Sequence, residues 1–431
     1  MNDNYPKVLA ISLSTWRKDS GIHTQTDLFK YWNPEKVAQI YTRSDLPDTP
    51  VCNKFFQISE NAVIKSVLNR KEVGCEVKNT KETQYSKAYE EEKRLYAVAR
   101  KKSSWLLRVL RELVWIFGKW KTKALDKFVQ DFNPDIYFVP IYPVIYMGII
   151  QLYVIRKFKK PYVCYMWDDN YSYKPCGYNP LAYIHRFFLR KAVKNLIIHC
   201  TKMFAITKMQ ADEIQANFNI HSIVLTKGID YDELKYENAV ISSPIKMVYT
   251  GKLVIGRDRA LAEISKALAE INKEEIKITL DIYSPDVVNE KVMRFLNSNG
   301  CKYCGCVSKD KVAEIQKAAD IVVFVEALEK KYRYMARLSF STKLTDYFKS
   351  GKCILAIGDK DIAPIKYLKE NDAGIVITEY QQIKDKLQKL IVQRDLIQKY
   401  GRNAFECGRK NHNEKDIKRI FVETLKEAAK E

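Results

Sequence analysis

The chain has 431 residues, with 73 Lys and Arg against 52 Asp and Glu, so its formal charge at pH 7 is +21. Hydrophobic residues make up 46% of the sequence and aromatic residues 12%, which excludes a disordered polyelectrolyte and indicates a globular protein of about two or three domains. The excess of basic residues predicts an anionic partner: nucleic acid, a membrane surface or a phosphorylated small molecule.

The sequence shows no pattern of export or of a disulfide framework. Residues 1–15 lack the basic start, hydrophobic run and cleavage site of a signal peptide, and the ten cysteines are dispersed, several within apolar stretches. Residues 136–155 carry no charge and are long enough to cross a bilayer, but Pro140, Pro143 and Gly148 favour a buried strand followed by a buried helix. We therefore expect a cytoplasmic protein.

Short apolar strands alternate with amphipathic helices in the first half of the chain, which predicts βα units and a parallel sheet. The predicted strands are Lys7–Ser12, Val37–Tyr41, Ile136–Val139, Tyr162–Met166, Met203–Ile206 and Ser222–Leu225. The predicted helices lie around Thr24–Tyr31, from about Val144, at Leu181–Ile198 and at Lys208–Ala216.

A second series of the same kind follows a linker at Asn238–Pro244. Its predicted strands are Lys246–Tyr249, Lys277–Tyr283, Ile321–Val325, Cys353–Ile357 and Gly374–Ile377. Its predicted helices are Arg259–Ile271, Val287–Asn297, Lys309–Ala319, Thr342–Phe348 and Ile362–Lys369. Residues 381–431 are predicted to form two or three charged amphipathic helices.

These patterns predict an α/β protein with two Rossmann-like, doubly wound domains that face each other across a cleft, and with helices at the C-terminus. The predicted domains are residues 1–238 and residues 245–400, followed by a helical tail at 401–431 that can pack back on the first domain. Ligands of such sheets bind beyond the carboxyl ends of the strands, so a functional site is expected in the loops that follow them.

One of these loops carries cations next to a glycine. The strand that ends near Thr250 is followed by Gly251 and Lys252, and Arg257 and Arg259 stand six and eight residues beyond the glycine. Glycine lets a ligand approach the backbone closely, and cations near the start of a helix suit a diphosphate. A turn glycine followed by solvated basic residues is the alternative interpretation.

The order of motifs downstream strengthens the diphosphate interpretation. Residues 318–324 read Ala-Ala-Asp-Ile-Val-Val-Phe, and residues 339–352 read Ser-Phe-Ser-Thr-Lys-Leu-Thr-Asp-Tyr-Phe-Lys-Ser-Gly-Lys. Together with the glycine loop, this order resembles the donor-binding half of GT-B-fold glycosyltransferases, specifically the large family-4-like group of retaining enzymes. The resemblance implies the GT-B fold and a nucleotide-sugar donor.

The resemblance assigns roles to the basic residues of the second half. Lys252 stands where the family has an arginine and Arg257 where it has a lysine, and both would contact the diphosphate. Ser341, Thr342 and Lys343 open a predicted helix, where backbone N–H groups and short hydroxyls can hold phosphate oxygens.

One of the family's two glutamate positions is not filled by a carboxylate. Asp346 stands where one glutamate binds the ribose hydroxyls, a task that suits a carboxylate because it accepts hydrogen bonds from two hydroxyls; a solvated helix carboxylate is the alternative. The other glutamate, which contacts the transferred sugar, would fall at Leu338. Glu326 or Glu329 is a candidate substitute.

The first half carries weaker matches to the same family. Residues 227–230, Lys-Gly-Ile-Asp, stand where the family commonly has Asn-Gly-Val-Asp, and Asp168 follows a buried strand where relatives often have His-Asp. Asp168 is therefore a candidate for orienting acceptor or sugar hydroxyls, with a helix cap as the alternative. Gly21 and His23 follow the first strand, near the expected junction of sugar and acceptor.

The resemblance implies sugar transfer with retention of configuration and without a metal or another cofactor. Lys252 and Arg257 would stabilise the negative charge of the leaving diphosphate. Cys301, Cys304 and Cys306 supply three thiols with no fourth ligand nearby, so packing is favoured over a zinc site.

Residues 93–127 form the densest basic segment, with eleven Lys and Arg against Glu112 and Asp126. Tryptophans and leucines between the cations are typical of a helix that lies in a membrane interface and is attracted by anionic lipid. A helix that packs on the first sheet, with solvated lysines, is the alternative. The two are compatible if the part from Trp115 to Trp120 enters the lipid.

We expect a glycosyltransferase that moves a sugar from a nucleotide donor to a glycan or lipid-linked acceptor, in surface-polysaccharide synthesis and on the cytoplasmic membrane face. The alternatives are an inactive glycosyltransferase-like binding subunit, a nucleotide-sugar epimerase of the same fold and a nucleic-acid-binding protein. The last would spread basic and aromatic residues over one surface, whereas here they cluster in one segment, so a nucleic-acid partner is not expected.

Overall fold

The computed structural model describes residues 4–17, 23–69, 73–79, 105–286, 288 and 290–431. The chain forms two compact units. The first unit comprises Met1–Leu225 and Lys418–Glu431, and the second comprises Thr226–Ile417. Each unit is built around its own sheet.

The sheet of the first unit has eight strands. They are β1 (Val8–Ser12), β2 (Val37–Tyr41), β3 (Lys54–Gln57), β4 (Cys75–Val77), β5 (Ile136–Pro140), β6 (Tyr162–Met166), β7 (Lys202–Ala205) and β8 (Ser222–Val224). Their order is β4-β3-β2-β1-β5-β6-β7-β8, and every pair is parallel except β3 and β4. β1, β2, β5 and β6 are buried along their whole length, as expected of parallel strands covered on both faces.

Seven α-helices of the first unit lie wholly within the described residues before Leu225. They are α1 (His23–Phe29), α2 (Glu60–Asn69), α3 (Trp105–Phe117), α4 (Lys123–Phe132), α5 (Ile145–Phe158), α6 (Pro180–Ile197) and α7 (Lys208–Phe218). The uncharged stretch 136–155 divides into β5 and α5, which confirms the predicted strand and helix. Within the described part of the chain, every helix is too short or too polar to cross a membrane.

The sheet of the second unit has six parallel strands. They are β9 (Ile245–Thr250), β10 (Ile278–Tyr283), β11 (Cys301–Gly305), β12 (Ile321–Val325), β13 (Cys353–Ile357) and β14 (Ile375–Ile377). Their order is β11-β10-β9-β12-β13-β14, so the chain reverses its direction of winding between β9 and β12. Such a switch point, at the carboxyl ends of the strands, is where doubly wound sheets bind ligands.

Helices cover this second sheet and continue to the C-terminus. They are α8 (Arg257–Ile271), α9 (Glu290–Leu296), α10 (Lys309–Ala318), α11 (Thr342–Ser350), α12 (Ala363–Glu370), α13 (Gln382–Val392), α14 (Asp395–Asn411) and α15 (Glu414–Ala428). The predicted α/β class with two Rossmann-like, doubly wound sheets and C-terminal helices is confirmed.

The division into units differs from the predicted boundary near residue 238. Residues 226–238 lie in the second unit. The physical reason is backbone pairing: Ile229 donates its N–H to the carbonyl of His412 at 2.8 Å, and its own carbonyl accepts from the N–H of Glu414 at 2.9 Å. These bonds tie the segment to the C-terminal helices of that unit.

The segment predicted as a tail, residues 401–431, is shared between the units. Residues 401–417 belong to the second unit, and only Lys418–Glu431 belong to the first. In the first unit the ring of Phe421 packs edge-on against Phe29 and Phe138, with centroids 5.2 and 5.9 Å apart. Burial of this aromatic side chain explains why the last turns of α15 join that core.

Candidate functional site

The switch point of the second sheet places two loops side by side. The N–H of Gly251, directly after β9, donates to the carbonyl of Tyr283 at the end of β10 (2.9 Å). On the other side of β9, β12 is followed by Glu326, whose N–H donates to the carbonyl of Ile357 at the end of β13 (2.8 Å). The loops after β9 and β12 therefore both begin at the carboxyl edge of the sheet.

Lys343 lies directly against Gly251. A Cβ atom on residue 251 would overlap Lys343 Nζ and would lie 2.6 Å from its Cε, so a larger residue here would displace the flexible end of this lysine. Lys343 occupies the first turn of α11, and the hydroxyl of the N-cap residue Ser341 accepts its backbone N–H at 3.4 Å. The ammonium group also lies 4.8 Å from the ring centroid of Tyr249. The predicted glycine loop and the predicted helix opening thus meet.

The ammonium group of Lys343 has a strongly perturbed environment. Burial is the largest cause that lowers the pKa of Lys343, to about 8, and the charges of Arg257 and Lys252 lower it as well. The carboxylates of Glu326 and Asp286 act in the opposite direction. A phosphate bound beside Lys343 would favour its charged form, since an opposite charge raises the pKa of an ammonium group.

Arg257 is held in place by Glu326. It is the first residue of α8 and follows Gly256, whose φ of 76° is in the left-handed region. Its Nη2 lies 2.7 and 2.9 Å from the two carboxylate oxygens of Glu326 and its Nε lies 3.2 Å from one of them, with side-chain exposures of 20% and 8%. Among the described residues none bonds to Nη1, which leaves its N–H groups available to an anion.

The loop that carries Lys252 is fixed by its backbone, while the side chain is exposed. Asp286 Oδ2 accepts the N–H of Leu253 at 2.6 Å, and the carbonyl of Lys252 accepts the hydroxyl of Tyr249 at 2.6 Å. Thr342 is exposed at the start of α11. Gly251, Lys252 and Thr342 therefore lie at the same edge of the sheet, and Lys343 lies against the first of them.

Asp346 lies on the same helix as Lys343. The two are three residues apart on α11 and therefore share a face of the helix. Asp346 Oδ1 is 3.3 Å from Lys227 Nζ, and its side chain is half exposed at 51%. It also lines a cavity of about 800 Å³ formed with α10 and residues 233–239. The lining of that cavity does not include Gly251 or Lys343, so we place the anion site at the converging cations instead.

Residue 338, where the family has the glutamate that contacts the transferred sugar, carries no carboxylate. Leu338 is buried, with 1% exposure. Glu326 is engaged by Arg257, and Glu329 Oε1 accepts the hydroxyl of Tyr380 at 3.0 Å and lies 3.1 Å from Arg259 Nε. Sequence reasoning named Glu326 only as a substitute; its position directly after a switch-point strand is the signal that could have marked it as the partner of a cation.

The predicted acceptor-side residues belong to the first unit. Asp168 lies two residues beyond β6, and its carbonyl accepts from Gln210 Nε2 at 3.0 Å and from the N–H of Asn170 at 2.9 Å. It is therefore at the carboxyl edge of the first sheet. His23 begins α1, but its side chain and the whole of Gly21 lie outside the described residues.

The basic segment 93–127 is described from residue 105 onward, and two of its tryptophans are core residues. Trp115 and Trp120 are only 1% and 2% exposed. Trp115 stacks on Tyr146 of α5 with ring centroids 4.4 Å apart, and Trp120 Nε1 donates to the carbonyl of Trp115 at 2.8 Å. The prediction that these tryptophans enter lipid is wrong, because they pack between α3 and the rest of the first unit.

The three cysteines near residue 300 belong to an edge strand. Cys301 begins β11 and is buried, Cys304 is half-buried and Cys306 follows the strand and is exposed. In the part of the chain that the structure describes, no group of three or more His, Cys, Asp or Glu side chains is arranged to hold a metal ion. Core packing accounts for Cys301.

No protein-family model matches this sequence, and no curated protein matches it either. Solved structures do match. The structure of HepE from Anabaena in complex with UDP aligns with a TM-score of 0.62 at 13% identity, over 98% of this chain and 100% of that one. Sucrose-phosphate synthase from Thermosynechococcus elongatus aligns at 0.61 and 10% identity over 98% of both chains. A glycosyltransferase from Rickettsia africae aligns at 0.57 and 12% identity over 99% and 100%.

These alignments cover both units of the chain. They show that the chain has the GT-B fold, with two Rossmann-like domains, and so confirm the fold that the sequence motifs implied. HepE has also been solved with UDP-glucose, and with UDP and glucose together.

Proposed function

We propose that this protein is a glycosyltransferase that moves a sugar from a nucleoside diphosphate donor to a glycan or lipid-linked acceptor. The observation that carries the proposal is the convergence of Lys343, Arg257 and Lys252 at Gly251, on the switch point of a GT-B sheet. Three neighbouring cations, one of them with a lowered pKa, favour a ligand with more than one negative charge, and a diphosphate is such a ligand.

The same helix end can serve both parts of the donor nucleotide. In the proposed complex the diphosphate lies over Gly251, where Lys343 Nζ and Arg257 Nη1 donate to its oxygens. Asp346, on the same face of α11 as Lys343, accepts the ribose hydroxyls. Since HepE has this fold and was solved with UDP and UDP-glucose, a uridine donor is the first to test.

The proposed reaction breaks the bond between the anomeric carbon and a diphosphate oxygen and forms a bond from that carbon to an acceptor oxygen. The departing diphosphate keeps the electron pair, and Arg257 and Lys343 stabilise its growing negative charge. Glu326 fixes the guanidinium of Arg257 in the required orientation. We further propose retention of configuration without a metal ion, with the departing phosphate oxygen taking the proton of the acceptor.

On the acceptor side, the proposal assigns Asp168 to orient a hydroxyl of the acceptor or the sugar. Gly21 and His23 are proposed to belong to the acceptor loop after β1. A lipid-linked or surface-polysaccharide acceptor would place the enzyme on the cytoplasmic face of a membrane.

One observation favours an alternative, a glycosyltransferase-like subunit that binds a nucleotide sugar without transferring it. Leu338 is buried where the family has the glutamate that contacts the transferred sugar. Such a subunit would keep the diphosphate site but would not consume the donor.

A panel of UDP-, GDP-, ADP- and CMP-sugars, measured by thermal shift, tests the proposal. A ligand that binds only the native state stabilises it by about 2.7 kcal/mol at one hundred times its Kd, so the correct donor raises Tm. We expect Lys343→Met to abolish the shift and Lys349→Met, on the same helix but lining the 800 Å³ cavity, to preserve it. A flat panel contradicts the proposal, and the reverse result for the two lysines would place the diphosphate in the cavity.

Turnover separates the enzyme from the binding subunit. We expect release of the nucleoside diphosphate when the stabilising donor is mixed with membrane lipid extract or oligosaccharide acceptors. A donor that raises Tm but is never consumed with any acceptor class would favour the binding subunit.

A further inference from the structure

Helix α3 presents a wide apolar face to solvent. Apart from Arg108, every exposed side chain between residues 107 and 117 is a large hydrophobic one. These side chains, with exposures from 37% to 71%, are Leu107, Val109, Leu110, Leu113, Ile116 and Phe117. The opposite side of the helix is buried through Trp115, so among the described residues α3 is packed on one side only.

Helix α6 repeats this arrangement, which the sequence analysis did not predict. Its first turns expose large hydrophobic residues that recur at three- and four-residue spacing, while Ala182 and Leu189 on the other side are buried. The exposed residues, at 43% to 56%, are Leu181, Tyr183, Ile184, Phe187 and Phe188.

The two helices lie side by side and are joined to α2. His185 Nε2 of α6 lies 3.2 Å from Glu112 Oε1 of α3, and Arg111 Nε of α3 donates to Glu60 Oε2 of α2 at 2.8 Å. Helix α2 itself exposes Ile64 at 40% and Val67 at 44%. More than half of the exposed large hydrophobic side chains in the described residues lie on these three helices or at Tyr178, just before α6. We call the exposed hydrophobic residues of α2, α3 and α6 the apolar face.

The surroundings of the apolar face are basic. Lys191 Nζ lies 4.6 Å from the ring centroid of Phe187, an arrangement that keeps the ammonium group at the rim of apolar surface. Exposed lysines also stand on α2 (Lys65), after α3 (Lys119, Lys121, Lys123) and later on α6 (Lys194). Glu60 and Glu112 are the acids of these three helices; the first pairs with Arg111, and the second is buried and accepts the backbone N–H groups that open α5.

We propose that the apolar face docks on a lipid bilayer that contains anionic lipid. Monomeric proteins rarely expose a contiguous apolar patch of this kind without a partner, and a basic rim around aromatic and aliphatic side chains suits the headgroup region. A second copy of the chain fits less well, because a two-fold dimer through this face would bring the same lysines against each other, and the described residues of the three helices offer no exposed acid to pair them. The proposal does not depend on catalytic activity.

Co-sedimentation with vesicles tests the docking. We expect the full-length protein to bind vesicles of phosphatidylcholine with one-third phosphatidylglycerol and to bind pure phosphatidylcholine more weakly. The double variant Ile184→Glu, Phe188→Glu should bind the anionic vesicles at least tenfold more weakly, because it replaces two apolar contacts with negative charge. The control Val392→Glu, at a residue 82% exposed on α13, should bind as the wild type does.

Two results would overturn the proposal. The first is equal vesicle binding by the double variant and the wild type. The second is a wild-type protein that does not bind vesicles but forms dimers in sedimentation velocity, while the double variant is monomeric. That result would assign the apolar face to contact with a second copy of the chain. Both variants should keep the Tm shift with the nucleotide sugar, so loss of docking is measured separately from loss of the donor site.

Discussion

The two basic regions of this protein use the same residue types in opposite ways. In the second unit, Arg257 and Lys343 are partly buried at the switch point, where Glu326 fixes the arginine. In the first unit, lysines such as Lys191 are exposed around the apolar face. Partly buried charges interact strongly with one another and with a small ligand, whereas exposed charges are screened by salt. Position, rather than net charge, therefore decides whether cations hold a compact anion or an extended surface.

The largest expected effect tests whether α3 is packed on one side only. Trp115→Ala should lower the free energy of unfolding by about 3–5 kcal/mol, because it removes a buried ring stacked on Tyr146. Phe117→Ala, at a residue 71% exposed on the same helix, should change it by less than about 0.5 kcal/mol. Urea unfolding measures both. A comparable loss for Phe117→Ala would mean that the apolar face is covered within the chain.

The next largest effect concerns the partly buried cations of the second unit. Arg257→Met should lower kcat by about 10²–10³-fold, because a fixed donor that stabilises transition-state charge is lost. Lys266→Met, at an exposed lysine on the same helix, should have no such effect. Steady-state assays with the donor that raises Tm measure this. Similar activity in the arginine variant and in the wild type would remove Arg257 from the mechanism.

A pH profile can sharpen the role of Glu326. Burial holds the pKa of Lys343 at about 8, so nucleotide affinity should fall as pH rises through that value and the ammonium group loses its proton. Glu326 opposes this lowering; Glu326→Gln should therefore lower the pKa of Lys343 and move the decline in affinity to lower pH. Calorimetric titration between pH 6 and 9 measures the midpoint. An unchanged midpoint would mean that Glu326 does not influence the pKa of Lys343.

Substitution of Asp346 is expected to have a smaller effect, which weakens nucleotide binding but leaves the stability of the fold nearly unchanged. Asp346→Asn should weaken nucleotide binding by about tenfold, roughly the value of one charged hydrogen-bond partner. Its ion pair with Lys227 is partly exposed, so stability should change by less than about 1 kcal/mol. Lys227→Met is the matched control, since it breaks the same ion pair and keeps the carboxylate. Equal losses in the two variants would attribute the effect to the ion pair rather than to ribose.

The smallest effect lies at the rim of the apolar face. Lys191→Gln should weaken binding to anionic vesicles by about fivefold at low ionic strength, as expected for about 1 kcal/mol per surface charge. Added salt should reduce the difference, whereas the effect of Arg257→Met on turnover should persist. Vesicle titrations at two salt concentrations provide the measurement. A salt-independent loss would mean that Lys191 supports the local structure of α6.

The sequence predicted the central elements more closely than the edges. The predicted bounds of β2, β6, β12 and β13 coincide with the observed strands, because central parallel strands are continuous apolar runs. The edge strand β4 and its neighbour β3 were not predicted; β4 has only three residues and is largely exposed, so it has no apolar pattern to detect. The boundary between the units was predicted near residue 238, whereas residues 226–238 belong to the second unit. Ile229 pairs there with His412 and Glu414, which are distant in the sequence.

The candidate site divides in the same way. Local spacing was enough to predict that Gly251, Lys252 and Arg257 follow one strand and that Ser341 to Asp346 open one helix, because spacing is a property of the chain. Contacts between distant residues place Lys343 against Gly251 and make Glu326 the partner of Arg257. They also turn Trp115 of α3 inward, while Leu107, Leu110 and Leu113 face solvent. The physical reason is that helical periodicity fixes which residues share a face, but the partner of that face is set by contacts between residues far apart in the sequence.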